Sequence, residues 1–487
     1  MEIVTTFFNW SYLLSCFYGV FIGTLVGVLP GLGPMAALSI LLPFSYLFMD
    51  PIASLIFLAG VYYGTQYGGS TASILLNLPG ESSSVVTTIE GYQMTKRGMA
   101  GKALAISAIG SFIAGTLATF LILLLSAPMA RLSFLFGPVE YTALMTLGLI
   151  ACATMSQSGI LKSLSVICIG MLIGSIGVDV NSGLERFTFG IPELYDGISF
   201  AIIAMSIFGL AEIMYNILHS EKRKVVVPEF KDLYPDKKDL THSMPSIFRG
   251  TFIGSILGIL PGTGAVISSF ASYSVEKNLA KKDSEFGKGD IRGVAGPESA
   301  NNAAAQTSFI PALSLGLPGT PVMAIFIGAL IMHGIQPGPQ MLTENSTLFY
   351  GLVISMWLGN LFLLILNLPL IGIWISILKM PWKILYPIVF LICLIGAYYI
   401  SNSWFNVMLM IPFLLFGYIL KILEFDPAPL AIGFVLGPLF EEYFRRSLEI
   451  SNGSLMIFFE RPISLGMLAF LVSIILIFFY FKNKQKI

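Results

Sequence analysis

Two sets of small polar residues carry the chemistry this sequence offers. The first is Gly68-Gly69-Ser70-Thr71 with Asn77, followed by Pro79-Gly80-Glu81-Ser82-Ser83-Ser84. The second is Asn301-Asn302, followed by Pro318-Gly319-Thr320-Pro321. Both are rich in hydroxyl and amide groups and poor in charge. Such a set suits an anion held without Lys or Arg, because the N-terminal end of a helix presents unpaired N–H donors and the positive end of its dipole. Glycine lets a ligand approach the backbone. The N–H groups beside Gly80 and Gly319, with the Ser82 and Thr320 hydroxyls, are the expected donors. The competing explanation is that small residues only let helices pack closely; recurrence of the clusters in both halves of the chain favours a binding role. Two acids stand beside them. Glu81 follows the first cluster's Pro-Gly, and Glu298 opens Glu298-Ser299-Ala300-Asn301-Asn302. Acids near membrane depth point to ion pathways, so a coupling cation near Glu81 and Glu298 is weighed against simple capping of a helix start.

The elements that must position these groups show an internal duplication. Phe-Ile-Gly-Thr-Leu-Val-Gly-Val-Leu-Pro-Gly-Leu-Gly at 21–33 recurs 231 positions later, at 252–264, with eight identities in thirteen. Each copy places a helix-breaking Leu-Pro-Gly in a stretch without charge, and another Leu-Pro-Gly follows at 78–80 and 317–319. In hydrocarbon, an interrupted helix exposes backbone groups that must face protein or a water-filled cavity. Matching breaks in two halves are the best sequence pointer to a transporter's site. Gly31, Gly33, Gly262 and Gly264, at the tips of the first break in each half, therefore join Ser70, Thr71, Asn77, Pro79, Gly80, Ser82, Asn301, Asn302, Pro318, Gly319 and Thr320 as candidate binding residues.

The chain is 55% hydrophobic and only 11% charged, with a mean hydropathy of +0.83, whereas soluble domains are roughly 25% charged. It reads as an all-α polytopic membrane protein. Long runs free of Lys, Arg, Asp and Glu, such as 51–80, 103–126 and 347–378, predict about 12 membrane segments at about 20 residues each. The polar stretch 221–249 reads as a cytoplasmic linker between a first repeat, 1–220, and a second, 250–487. After the first copy the chain turns at Tyr46–Pro51 without a basic residue, while the matching turn carries Lys277, Lys281, Lys282, Lys288 and Arg292. Further on the bias reverses, with Lys96, Arg97 and Lys102 set against a cation-free 337–348. Under the positive-inside rule, matching loops lie on opposite sides, as two inverted repeats with re-entrant or broken helices require. The segment 250–276 reads as a re-entrant hairpin with Pro261-Gly262-Thr263-Gly264 at its tip.

Several functions are excluded. Zero net charge gives no electrostatic case for nucleic acid. The four cysteines sit singly in apolar runs and imply neither disulfide nor metal site. The Gly-x-Gly pairs lack the third glycine and the βαβ context of a dinucleotide loop, and no phosphate-binding G-x-x-x-x-G-K-[ST] occurs. His333 is a lone histidine, read as a buried, satisfied group or a substrate contact. The amino terminus has no basic n-region, so the first apolar segment is expected to remain in the mature protein. Glu212 reads as interfacial, Lys162 and Lys421 read as lying on the inside, and no intramembrane Lys or Arg lies near the broken elements.

These motifs resemble the large transmembrane subunit of the tripartite tricarboxylate transporters, the TctA family. The likeness rests on Gly27-Val-Leu-Pro-Gly-Leu-Gly-Pro34, Tyr67-Gly-Gly-Ser70, Asn77-Leu-Pro-Gly-Glu81 and Gly91-Tyr-Gln-Met94 in the first half. In the second it rests on 258–264, Glu285-Phe-Gly-Lys288, Gly296-Pro-Glu-Ser-Ala-Asn-Asn-Ala303, Gly316-Leu-Pro-Gly319 and His333-Gly-Ile-Gln-Pro-Gly-Pro339. Gln93 departs from the family's usual proline. The resemblance implies a multi-pass permease of the bacterial inner membrane that imports citrate-like di- and tricarboxylates by symport on a Na⁺ or H⁺ gradient, without a cofactor. It also implies two partners, a small membrane subunit (TctB-like) and a periplasmic substrate-binding protein (TctC-like). The alternatives are a permease of the same family for another organic acid, a channel, and a membrane-embedded enzyme. The last would need a His/Asp/Glu constellation that the intramembrane runs do not contain.

Overall fold

A computed structural model describes residues 9–29, 31–46, 50–156, 158–179, 182–219, 235–280, 284–378 and 382–484. These are almost entirely helical. In chain order the helices of the first half are α1 (Trp10–Val28), α2 (Pro34–Ser45), α3 (Pro51–Leu76), α4 (Val85–Lys96), α5 (Ala100–Ser133), α6 (Pro138–Met155), α7 (Ile160–Gly174) and α8 (Phe200–Leu218, with a π-helical turn over Met205–Leu210). The second half has α9 (Lys237–Ile259), α10 (Gly264–Leu279), α11 (Arg292–Thr307), α12 (Phe309–Leu315), α13 (Pro321–Met332), α14 (Ser346–Asn367), α15 (Ile371–Leu378), α16 (Trp382–Ser401), α17 (Trp404–Ile422), α18 (Ala428–Ile450), α19 (Ile457–Glu460) and α20 (Pro462–Lys484).

The duplication is visible in how the helices meet. α1 lies along α3 and α9 along α11, each pair in its half's most extensive contact. Both rest on files of small residues at four-residue spacing. Gly19, Gly23 and Gly27 of α1 face the backbone of α3, whose own Gly60, Gly64 and Gly68 face back. Gly250, Gly254 and Gly258 of α9 face Gly296, Ala300 and Ala304 of α11. A Cβ on Gly23 would stand 2.7 Å from Val61 Cα, and one on Gly254 2.8 Å from Ala300 Cα. This is the small-xxx-small packing of bilayer helices. The helices that follow also break alike. α3 ends on Asn77 at φ 57, α12 on Gly316 at φ 68, and each left-handed residue releases the chain into Leu-Pro-Gly. Glu81 then caps the 3₁₀ turn Ser82–Ser84 leading into α4, while the Thr320 hydroxyl accepts the Met323 N–H (3.2 Å) to start α13, with Pro321 at its first position.

The halves interlock through aromatic and polar contacts. Tyr63 of α3 packs on Phe309 of α12 (centroids 5.9 Å), which meets Phe326 of α13 edge-on (4.9 Å). The buried Glu90 carboxylate of α4 accepts the N–H groups of Gly287, Gly289 (2.7 Å) and Asp290 (3.0 Å) and the Tyr273 hydroxyl (2.9 Å), fixing the α10–α11 loop. In that loop burial pushes the Asp290 carboxyl up, but the Arg292 guanidinium and N–H outweigh it and hold it below the usual carboxylate range. A two-stranded hairpin pairs Gly177 with Arg186 and Val178 with Glu185. It is tied to α18 by Arg186–Glu441 (2.8 Å) and Arg445–Asp179 (3.0 Å).

Two expectations need correction. Among the described residues five helices, not about 12, are long and apolar enough to cross a membrane: Trp10–Val28, Ala100–Leu132, Phe200–Leu218, Ser346–Asn367 and Trp404–Ile422. The breaks cut other apolar runs into shorter helices such as Pro34–Ser45 and Pro321–Met332, and Gly, Ser and Thr dilute the 26-residue α3. α9 begins at Lys237, because Asp236 and Asp239 cap it reciprocally. Residues 237–249 of the stretch read as a linker are therefore helical, and α9 is 23 residues long rather than a short re-entrant arm. Residues 221–234 of that stretch, residues 47–49 of the first-half turn, and Pro30, Lys281 and Lys282 lie outside the described residues.

Candidate functional site

The tips of all four breaks line one cavity of about 840 Å³. From the first half come Gly31, Gly33 and Pro34, then Pro79, Gly80, Glu81 and Ser82; from the second, Gly262 and Gly264, then Thr320 and Pro321. Equivalent positions meet in each half. A Cβ on Gly33 would lie 3.7 Å from Glu81 Cβ, and one on Gly264 2.7 Å from Thr320 Cγ2. The tips are anchored differently, however. The Gly262 N–H donates to the Gly319 carbonyl (2.7 Å), joining both breaks of the second half. The Gly31 carbonyl instead accepts from Asn216 Nδ2 of α8 (3.4 Å). The duplicated wall thus offers an acid on one side and a hydroxyl-capped helix start on the other.

The remaining sequence candidates do not reach the cavity wall. Asn77 is an exposed helix cap. Pro318 and Gly319 lie behind the wall, Gly319 spending its carbonyl on Gly262. The Thr71 hydroxyl donates to the Tyr67 carbonyl (3.2 Å). Ser70, Asn301 and Asn302 instead gather around Glu298, which is fully buried. Its carboxylate accepts the Ser70 and Thr87 hydroxyls and, at 3.5 Å, Asn301 Nδ2; Asn302 Nδ2 bonds Ser111 Oγ (2.8 Å) and the Glu298 carbonyl (3.0 Å). Glu81, 9% exposed, accepts the Ser83 hydroxyl on the cavity side. His333 is also outside the cavity: its ring stacks on Tyr46 (4.4 Å, 9°) and its Nε2 pairs with Ser54 Oγ (2.8 Å).

Two lysines that the sequence reading kept to the inside loops stand by the breaks. Lys162 and Lys421 line the same cavity, with Glu212, Glu424 and Asp426. Lys421 pairs with Glu212 and sits over the Tyr215 ring (5.1 Å). Lys162 donates to the carbonyls of Leu423 (2.9 Å) and Glu424 (3.3 Å), lies over Phe425 (4.7 Å), and has no carboxylate partner among the described residues. Asp426 accepts the Ser156 hydroxyl (2.9 Å) and caps α18 through the Ala428 N–H (3.0 Å). Lys162 and Asp426 stand at the starts of α7 and α18, Lys421 and Glu424 at and just past the end of α17, and Glu212 inside α8, so tertiary packing assembles the set.

Comparison with known proteins decides the family. The sequence model of the tripartite tricarboxylate transporter TctA family matches residues 13–432. The chain belongs to the TctA family. It is therefore a membrane transport subunit. Two Agrobacterium vitis proteins are similar to it. One, described as an uncharacterized 52.8 kDa protein in the TAR-I ttuC' 3' region, is 51% identical over 457 residues, covering 94% of this chain and 91% of that protein. The other, an uncharacterized protein in the TAR-II ttuC' 3' region, is 54% identical over 224 residues, 46% of this chain and 93% of that protein. No solved structure matches the chain. Within the TctA frame, the cavity beside the four helix breaks gathers helix starts, hydroxyls and fixed charges of both signs.

Proposed function

We propose that this TctA protein imports citrate-like di- or tricarboxylates across the bacterial inner membrane on a cation gradient, and that the four-break cavity binds the substrate. The observation that carries this reading is the convergence of both duplicated breaks from both halves on one chamber. One substrate carboxylate sits at the start of α13, beside Thr320 and Gly264, where N–H donors replace its lost water. Another faces Gly80 and Ser82, and Lys162 draws the anion along the mouth. Glu81 has no cationic partner among the described residues, so a polyanion beside it requires bound cations, which makes Na⁺ or H⁺ symport the coherent mechanism. The charge bias of the loops supports two inverted repeats, 1–220 and 250–487, and puts the Lys162 and Lys421 mouth on the cytoplasmic side. A TctC-like periplasmic binding protein then delivers substrate from the opposite face, and a TctB-like subunit accompanies the chain in the membrane.

The test is uptake of labelled di- and tricarboxylates by proteoliposomes holding the chain and both partners, under imposed Na⁺ or H⁺ gradients. Saturable, gradient-dependent uptake is expected, and Val266→Trp, which fills the cavity, should stop it without lowering protein abundance. Normal uptake by that variant would place the substrate elsewhere.

A further inference from the structure

Glu298 is the group that the substrate chamber leaves unexplained. It sits in the middle of α11, 0% exposed, and no Lys, Arg or His pairs with it among the described residues. An ionised carboxylate in such a place is costly without a counter-charge. Protonation is the simplest escape, but the surroundings are built for the ionised form. One carboxylate oxygen accepts the Thr87 hydroxyl, the other accepts the Ser70 hydroxyl and Asn301 Nδ2, and Ser107 faces the same group. A protonated acid would force one of those hydroxyls to turn and accept, giving up its bond to the carboxylate.

A second observation points the same way. The Tyr67 hydroxyl is buried, 3% exposed, has no hydrogen-bond partner among the described residues, and belongs to the same helix face as Ser70, three residues on. Buried hydroxyls without a partner are rare and call for a missing one. The two carboxylate oxygens and the Ser70, Thr87 and Tyr67 hydroxyls together present hard oxygen donors carrying a single negative charge, with the Asn301 amide beside them. Calcium sites gather several carboxylates, and magnesium keeps much of its water; one carboxylate among neutral oxygens matches a small monovalent cation.

We propose that Glu298, Asn301, Ser70, Thr87 and Tyr67 form a binding site for one sodium ion, assembled from α3 and α4 of the first half and α11 of the second. The site deepens, and rests on, the cation-coupled reading above. It lies behind the chamber, and Glu298 and Glu81 feel each other's charge. A sodium ion there lowers the negative potential at the chamber wall and favours entry of the anion. By linkage, bound anion raises sodium affinity by the same factor.

The test uses the purified full chain in detergent, without substrate. Radioactive sodium binding and the sodium-specific rise in melting temperature, against potassium at equal ionic strength, are measured for the wild type, Ser70→Ala, Thr87→Val and Glu298→Gln. The wild type should bind one sodium per chain, the two hydroxyl variants should weaken Kd by about tenfold or more, equivalent to the loss of one good ligand, and Glu298→Gln should abolish binding. If Glu298→Gln does not accumulate, the hydroxyl variants decide. Absence of sodium-specific stabilisation in the wild type, or wild-type affinity in both hydroxyl variants, overturns the site. Uptake driven by a proton gradient with sodium absent also overturns it, while leaving the carboxylate reading intact. Normal sodium binding without any carboxylate uptake does the reverse.

Discussion

Gly80 and Gly319 occupy the same place in the two Leu-Pro-Gly breaks, yet the structure gives them opposite tolerance. A Cβ on Gly80 would lie 2.6 Å from the Gly27 carbonyl oxygen and closer still to Gly69 Cα. Both are backbone atoms of α1 and α3, which the glycine files already hold at minimum separation, so neither can give way. A Cβ on Gly319 meets nothing nearer than Pro311 Cγ at 3.8 Å, with Pro261 Cα at 3.9 Å. Neither glycine has a positive φ, so backbone strain does not enter. Gly80→Ala should therefore destabilise by about 1–3 kcal/mol through overpacking. Gly319→Ala should be neutral, or stabilise by about 0.4–1 kcal/mol by restricting the unfolded chain. The gap of roughly 1–4 kcal/mol is measurable by thermal or denaturant unfolding of the purified variants in detergent, side by side. Equal losses in the two variants, or a wild-type transition for Gly80→Ala, would show that the two breaks pack alike and refute the argument.

Thr320→Ser keeps the hydroxyl that caps α13 and should retain most uptake, whereas Thr320→Val loses a cap worth about 1 kcal/mol and one chamber donor; initial uptake rates separate them. Asn302→Ala removes the bonds to Ser111 and to the Glu298 carbonyl and should reduce uptake strongly while membrane abundance, read by immunoblot, changes little; a variant that fails to accumulate would favour a packing role. Glu90→Gln weakens charge-assisted bonds worth about 1.5–3 kcal/mol each to the 287–290 backbone, so limited trypsin digestion should cut at Lys288 sooner than in the wild type. Cysteines placed at Arg97 and Gln340 should label from opposite sides of the membrane; labelling of both from one side would sink the inverted arrangement.

Much of the candidate site was legible because its parts are local. A Leu-Pro-Gly in an uncharged run breaks a helix wherever it sits, and repeating the break marks four tips that the fold brings to one chamber. Glu81 and Glu298 stood out because acids are scarce in such runs. Burial could not be read so directly: Asn77 resembles a ligand in sequence but serves as a left-handed cap, and Gly319 turns its carbonyl to Gly262 rather than to the cavity. Lys162, Glu212, Lys421 and Asp426 were missed as chamber residues because they belong to four different helices, α7, α8, α17 and the start of α18, that only tertiary packing brings together. Among the described residues fewer helices than expected meet the length and hydropathy needed to cross a membrane, because absence of charge was taken as sufficient, while small and polar uncharged residues lower the hydropathy of α3.

The glycine files also set the grain of any movement. Where two helices touch backbone to backbone with notches every four residues, the next matching register lies one repeat away, about 6 Å along the axis at 1.5 Å per residue. Intermediate offsets drive backbone into backbone. α1 with α3, and α9 with α11, are thereby keyed like toothed racks: each pair either holds its register or jumps a full notch. A graded tilt that carries substrate from one side of the membrane to the other must then be taken up at the Leu-Pro-Gly breaks, with each keyed pair travelling as a single stiff lever.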